Sequence, residues 1–303
     1  YGGNPPIHII NRSNGGSAST NYTTVDRDWD NYVYDHNIQI FKSAGNNGSG
    51  TGNITEPAAG LNLVTVGNYN DATDTIAASS SFNNPQTGNQ KPELSAPGTN
   101  ITAGGHTESG TSFATPHVAA IAADFMGVAD WLIYRPFYLK AFVLTSATDQ
   151  IAGGYDHVGV GGIDFRDGLF DNAGGRWQSS SSSQATWDGW DSNDPYPNNG
   201  YVDYNFYASS SDSQVKVALA WMNRGTYTYD NRTATYPIGI DLDLCIYNPN
   251  GGLVGCSSSF YNGWEVVAFN PSITGTYRAR ISKYTVRDTS SKLHMGIRVN
   301  RDS

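Results

Sequence analysis

The sequence predicts an α/β domain followed by an all-β sandwich of the jelly-roll kind. Three observations predict this. Short β-rich runs alternate with helical patterns over the first half of the chain. Near residue 171 the composition shifts to a serine run flanked by tryptophans. From Tyr201 onward the pattern is one of short alternating strands. The expected domains are residues 1–172 and 173–303.

In chain order, Ile7-His8-Ile9-Ile10 reads as a short buried strand that runs into Asn11-Arg12-Ser13-Asn14-Gly15-Gly16. Val25, Trp29, Tyr32 and Val33 are helically spaced with acids between them, which predicts a surface helix over 25–36. Residues 38–44 read as a strand leading to Asn46, and 61–66 as another. Then comes Gly110-Thr111-Ser112-Phe113-Ala114-Thr115-Pro116-His117-Val118-Ala119-Ala120, a loop that breaks into a helix. Gly110 allows a tight approach. Ala114, Ala119, Ala120, Ala122 and Ala123 make a helix small enough to be buried all round. Pro116 is placed in the first turn, which has no intrahelical use for its N–H. Leu139, Phe142 and Val143 suit a second helix within 131–145.

The serine run 179–183 reads as a flexible, solvated stretch. Trp177, Trp187 and Trp190 read as packing anchors or as a sugar-stacking surface. Beyond Tyr201, Val215, Val217, Leu219 and Trp221 alternate, as do Leu242, Leu244 and Ile246, and Tyr277, Ala279 and Ile281. Asn250-Gly251, Pro271 and Gly275 supply turns.

The totals set bounds. At 303 residues and 38% hydrophobic content the chain can build real cores. A formal net charge of −9 argues against nucleic acid as a partner. No apolar run approaches the length of a membrane span. The chain opens on Tyr1, not Met, without a signal-peptide pattern, so removal of something upstream is expected. Its two cysteines, Cys245 and Cys256, fit an extracellular setting. They are equidistant from Asn250-Gly251, a favoured two-residue hairpin turn, so a disulfide between them is expected. Pro249 is the residue that can shift that register. Asp241 and Asp243 alternate on a strand and share one face. They read as an edge-strand solubility device or as a structural calcium site, which needs several oxygens at once.

A Ser at a helix start reads as an N-cap, or as a hydroxyl presented to a cleft beside free backbone N–H groups and the positive end of the helix dipole. The stretch from Gly110 to Ala120 resembles the nucleophile motif of the subtilisin-like serine proteases. Phe41-Lys42-Ser43-Ala44-Gly45-Asn46-Asn47-Gly48 resembles that family's strand ending in Ala-Gly-Asn. Ser13-Asn14-Gly15 takes the place of its Ser-x-Gly strand end. Leu63 to Gly67 looks like its Val-x-x-Val-Gly. Lys91 to Gly98 looks like its Pro-Asp-Val-x-Ala-Pro-Gly, with Glu93 in place of the Asp, a replacement expected to be harmless. Val158 to Asp164 resembles the segment that closes the catalytic domain. Val217 to Trp221, Asp241 to Leu244 and Thr274 to Tyr277 resemble the β-domain behind many secreted members.

The resemblance spans residues 7 to about 170 in the first domain. It implies a mainly parallel sheet with helices on both faces, and an endopeptidase working through an acyl-enzyme without a cofactor. It makes Ser112 the nucleophile, and Asn46 with the Ser112 N–H the oxyanion donors. Ser13, Asn14, Gly15, Ser43, Ala44 and Gly45 would line the substrate cleft. Asn47 is uncharged, so no strict basic or acidic preference is expected. His117, on the same helix as Ser112, is expected to be structural. His106 lies in the loop before Ser112, with no orienting acid beside it.

The family order is Asp, then His, then Ser. Neither Asp-(Thr/Ser)-Gly nor His-Gly-Thr-His-Val stands before Ser112, and His8, His36, Asp28 and Asp30 lack those contexts. Three explanations compete: the C-terminal part of a protease whose N-terminal part is a separate or omitted segment, a pseudoprotease that binds peptides or partners, and a structural secreted module. The intact Ser112 and Asn46 favour the first. The expected partners are then a peptide or protein substrate and the N-terminal segment, with no nucleic acid and no membrane.

Overall fold

The computed structural model describes residues 7–19, 21–48, 54–82, 90–148, 150–164, 190–193, 200–290 and 293–302. The chain forms two compact units that interleave in sequence. The first comprises Tyr1–Pro136, Ala147–Ile163 and Arg224–Asp230, and the second Phe137–Ser146, Asp164–Asn223 and Asn231–Ser303. The expected boundary near 172 lies outside the described residues, as do Trp177, Trp187 and the serine run. Among the described residues, no helix is long and apolar enough to cross a membrane.

The first unit holds β1 (Ile9–Arg12), β2 (Gln39–Ser43), β3 (Val64–Asn70), β4 (Thr75–Ile76) and β5 (Leu94–Pro97). A two-stranded ribbon of β6 (Ile101–Ala103) and β7 (His106–Glu108) precedes β8 (Ala147–Thr148) and β9 (Gly162–Ile163). The main sheet runs β1-β2-β3-β5-β9-β8, with β4 paired to β3. The β1/β2, β2/β3, β3/β5 and β5/β9 pairs are parallel. β2 is buried at every position, as a strand covered on both faces must be. β1 differs from the buried strand expected over 7–10. It begins at Ile9, forms the sheet edge and is partly exposed, and Ile7 ahead of it is 54% exposed.

Helix α1 (Thr24–His36) starts with a capping box between Thr23 and Asp26. It is less of a surface helix than its acids suggest, because Asp26 and Asp30 are fully buried. Asp30 accepts from the Leu61 and Asn62 N–H groups, each at 2.8 Å, and from the Tyr22 hydroxyl at 2.7 Å. Burial still outweighs these bonds and pushes its carboxyl up to about 6. Segment 224–230 joins this unit at α1. Asn31 Nδ2 donates to Thr226 Oγ1 at 2.7 Å, and the Thr226 N–H donates to Asn31 Oδ1 at 3.0 Å.

Helix α2 (Thr111–Val128) lies against β1, β2, β3 and β5 and buries Ala114, Val118 and Ala122 completely. The second helix is shorter than expected. A single 3₁₀ turn covers Asp130–Leu132, and α3 runs over Pro136–Thr145. Pro136 takes the first helical position, where its fixed φ suits the helix.

The second unit contains two four-stranded antiparallel sheets. One runs β10 (Trp190–Asn193), β17 (Met295–Asp302), β12 (Gln214–Trp221), β15 (Trp264–Phe269). The other runs β11 (Tyr201–Ala208), β16 (Gly275–Val286), β13 (Ile240–Tyr247), β14 (Leu253–Ser257). β11 turns Val202, Tyr204, Phe206 and Ala208 inward at every second position. β12 is buried from Val215 to Trp221, on both faces. Helix α3 covers the same sheet at β17. A Cβ on Gly296 would stand 2.6 Å from the Tyr138 ring, the Arg298 guanidinium lies 3.7 Å over Phe142, and Asn300 Nδ2 donates to the Thr145 carbonyl at 3.3 Å.

Cys245 faces Cys256 across β13 and β14, and a disulfide joins them. The turn is not the two-residue one expected. The Asn248 N–H donates to the Gly252 carbonyl at 2.8 Å, leaving Pro249, Asn250 and Gly251 in the loop. A register shift between Ile246 and Tyr247 offsets the extra loop residue and brings the cysteines opposite each other.

Candidate active site

Ser112 is the second residue of α2. The N-cap is Gly110, whose lack of a side chain lets the Asn46 amide in: a Cβ there would stand 3.1 Å from Asn46 Nδ2. The Ser112 hydroxyl does not cap the helix but donates to the Ser13 carbonyl at 2.7 Å. Pro116 is the sixth residue of α2, beyond the first turn in which the sequence places it. Its missing N–H leaves the Ser112 carbonyl without its helical donor, and the Ser13 hydroxyl donates there instead, at 2.9 Å. Ser13 and Ser112 thus hold each other reciprocally.

Asn46 is fixed by a residue the sequence analysis did not single out. The Thr111 N–H and hydroxyl both donate to Asn46 Oδ1, at 2.9 and 3.1 Å, and Thr111 Oγ1 accepts from the Gly45 N–H at 3.2 Å. A backbone N–H can only donate, so the amide oxygen must face Thr111 and Nδ2 must face away. The only signal for this role was the position of Thr111 directly before Ser112. The Ser112 N–H lies in the first turn, where the helix offers no acceptor. Two donors are therefore held at the same loop as the hydroxyl, the arrangement that receives negative charge developing on a carbonyl oxygen.

Of the expected cleft residues, Ser13 meets Ser112 directly and Gly45 meets it through Thr111. Asn14 and Gly15 are exposed, whereas Ser43 and Ala44 present no exposed side chain. The histidines are engaged elsewhere. His117 Nδ1 lies 2.8 Å from the Pro97 carbonyl, and His36 Nδ1 3.1 Å from the Tyr32 carbonyl. His8 packs edge-on to Tyr134, and His106 sits exposed on β7. Buried His157 places Nε2 2.8 Å from the Ser80 carbonyl. Among the described residues no histidine hydrogen-bonds to Ser112.

Glu93, which stands where the resembling motif has Asp, is part of a buried ion pair. Lys91 and Glu93 are wholly buried, with Nζ 2.6 Å from Glu93 Oε1 and 2.6 Å from the Gly60 carbonyl. Glu93 Oε2 accepts from the Thr65 N–H at 2.7 Å. The pair thereby ties β5's approach to β3.

Asp241 and Asp243 are not on an edge strand, because β13 lies between β16 and β14. The solubility reading therefore falls. Asp241 is 3% exposed and its Oδ1 has no hydrogen-bond partner. Burial, and then the charge of Asp243, pushes it up to about 7. Glu265 on β15 accepts from the Ser257 hydroxyl and the Ser259 N–H, yet burial pushes it up to about 8, with both aspartates adding to the rise. Among the described residues no group of three or more His, Cys, Asp or Glu side chains is set to hold a metal ion. A carboxyl raised in the folded state stabilises it fully below the unfolded pKa, and that contribution is lost as pH rises through the folded value. In the presence of chelator, the melting temperature of the natural protein is expected to fall between pH 5 and pH 8 relative to Glu265→Gln. Parallel melting profiles would remove this account.

The subtilase family profile matches residues 4–169. Subtilisin-like protease 1 of Pseudogymnoascus destructans is 39% identical over 98 residues, covering 30% of this chain and 22% of that protein. The matched part thus spans 22% of the length of this curated relative. Among solved structures, the prenylagaramide maturation protease PagA is 25% identical with a TM-score of 0.44, covering 54% of this chain and 61% of that one. Sphericase is 29% identical with a TM-score of 0.43, covering 52% and 56%. With the family profile matched over more than half its length, the chain belongs to the subtilase family.

Proposed function

We propose that this chain is the nucleophile-bearing part of a secreted serine endopeptidase that cleaves peptide bonds through an acyl-enzyme on Ser112. The observation that carries this is Thr111 locking Asn46 with Nδ2 turned away from it, at the loop that presents the Ser112 hydroxyl and N–H. Ser112 Oγ attacks the scissile carbonyl carbon while Asn46 Nδ2 and the Ser112 N–H receive the oxyanion. The amine leaves with a proton, and water then hydrolyses the ester. The resting bond from Ser112 Oγ to the Ser13 carbonyl must yield to a base.

That base and its orienting acid come from a separate N-terminal segment. β1 has no neighbour on its outer side among the described residues, and such an edge is a template for another strand. Without the base only the oxyanion donors and binding remain, roughly 10³ to 10⁴ over water in subtilisin. Labelling by a fluorophosphonate probe tests this. Ser112 is expected to label only when the chain is mixed with the upstream segment. Equal labelling of the chain alone refutes a base supplied from elsewhere. No labelling in either case, with peptides still bound, leaves a pseudoprotease.

The Cys245–Cys256 disulfide supports secretion, because such bonds persist in oxidising compartments. Calcium at Asp241 and Asp243 is a separate proposal, supported by the unpartnered Oδ1 of buried Asp241. A melting temperature unmoved by chelator at pH 8, where these carboxylates are charged, would remove it.

A further inference from the structure

Thr55 stands between the two segments assigned to the substrate cleft. Its N–H donates to the Ala44 carbonyl at 2.9 Å, and it bridges to Ala18 on the other side. A Cβ on Gly15 would stand 2.4 Å from Thr55 Oγ1, and one on Gly45 2.9 Å from Thr55 Cγ2. Both walls are glycine there because the Thr55 side chain already fills the space between them.

Behind Thr55 lies Lys42, wholly buried at the end of β2. Its Nζ donates to Thr55 Oγ1 at 3.2 Å, to Ser43 Oγ at 3.2 Å and to the Ser43 carbonyl. All three acceptors are neutral, and no described carboxylate hydrogen-bonds to it. Three charged groups surround this region. Arg12 on β1 opposes the lysine charge and Asp26 on α1 favours it. Glu56 lies beyond Thr55, with Oε2 3.3 Å from where a Gly16 Cβ would stand. Burial outweighs the rest and lowers Lys42 to about 7.

We propose that Lys42 gives the pocket between Ser13–Gly15 and Ser43–Gly45 a cationic floor, so that the protease selects substrates whose side chain just before the scissile bond ends in a carboxylate. This rests on the endopeptidase reading and replaces the neutral preference drawn from Asn47. Thr55 Oγ1 accepts from Lys42, and its own proton is held only by a long 3.4 Å contact to the Ala44 carbonyl. That proton is the donor a substrate carboxylate meets. Thr55 is half-exposed beside Gly15, with Lys42 Nζ 3.4 Å from where a Gly15 Cβ would stand. A carboxylate accepting that proton faces the Lys42 ammonium through Thr55 Oγ1 and supplies the counter-charge that the fold leaves out.

The test uses the complete protease, with the segment that supplies its base, and matched peptides carrying Glu, Gln or Leu before the scissile bond. At pH 6, kcat/KM for Glu is expected to exceed that for Gln by about tenfold or more, as a charge-assisted hydrogen bond allows. The ratio should fall as pH rises through about 7 and Lys42 loses its proton. Lys42→Met should abolish the ratio, Lys42→Arg should retain part of it, and Thr55→Val should lower it. An unchanged ratio in a folded Lys42→Met variant overturns the proposal. Calorimetric binding of product peptides ending in Glu or Gln to Ser112→Ala separates the two readings. Glu-selective binding lost in Lys42→Met, with no peptide hydrolysed, keeps the pocket and removes the endopeptidase. Hydrolysis without Glu selectivity removes the pocket alone.

Discussion

Replacing Asn46 with Leu in the complete protease is expected to lower kcat by about 10² to 10³ with little change in KM, a magnitude taken from the equivalent donor in a subtilisin. The leucine fills a similar volume but offers no N–H to the oxyanion. Because that charge exists only after attack, substrate binding should be nearly unaffected. Asn46→Asp gives a second measure. It keeps an oxygen for the Thr111 N–H and hydroxyl to donate to, yet removes the donor on the other side. Thr111→Val removes one of the two bonds that fix the amide and leaves the 2.9 Å backbone bond, so its effect should be smaller. Steady-state kinetics on one peptide series decides this. A loss below about tenfold for both Asn46 variants would mean that the oxyanion is held by other groups.

The second large effect is on stability. Glu93→Gln should destabilise the fold by about 3–5 kcal/mol, because it leaves the wholly buried Lys91 ammonium without its carboxylate. Two links weaken together, the Lys91–Glu93 pair and the Thr65 N–H bond to Glu93 Oε2. Removing both charges at once, in Lys91→Met with Glu93→Leu, should cost much less than Glu93→Gln alone, since neither partner is then left charged and buried. Denaturant titration of the natural, single and double variants measures the difference. A Glu93→Gln variant as stable as the natural protein would show that Lys91 finds another partner or loses its proton.

Much of this protein was legible in contiguous sequence, because those features are local. A strand ending in Ala44-Gly45-Asn46 and a small-sided helix opening at Thr111 follow from residue order, backbone freedom and periodicity. So do the alternating strands of the second unit and the placement of Cys245 and Cys256 about a turn. Ser112 and Asn46 were readable for the same reason, since each sits inside a short run whose spacing is its signal. The tertiary structure decided what long-range burial does to polar groups. Asp30 looked like a surface acid and holds the 61–62 backbone. Glu93 read only as a stand-in for Asp, and the fold alone shows that it pairs with a buried lysine. α3 looked like part of the first domain and covers a sheet of the second unit. Lys42 drew no reading of its own in the 38–44 strand, and only the fold sets it behind Thr55. A polar side chain's environment comes from residues distant in sequence, and its cost when buried depends on those partners, so periodicity along the chain carries no trace of it.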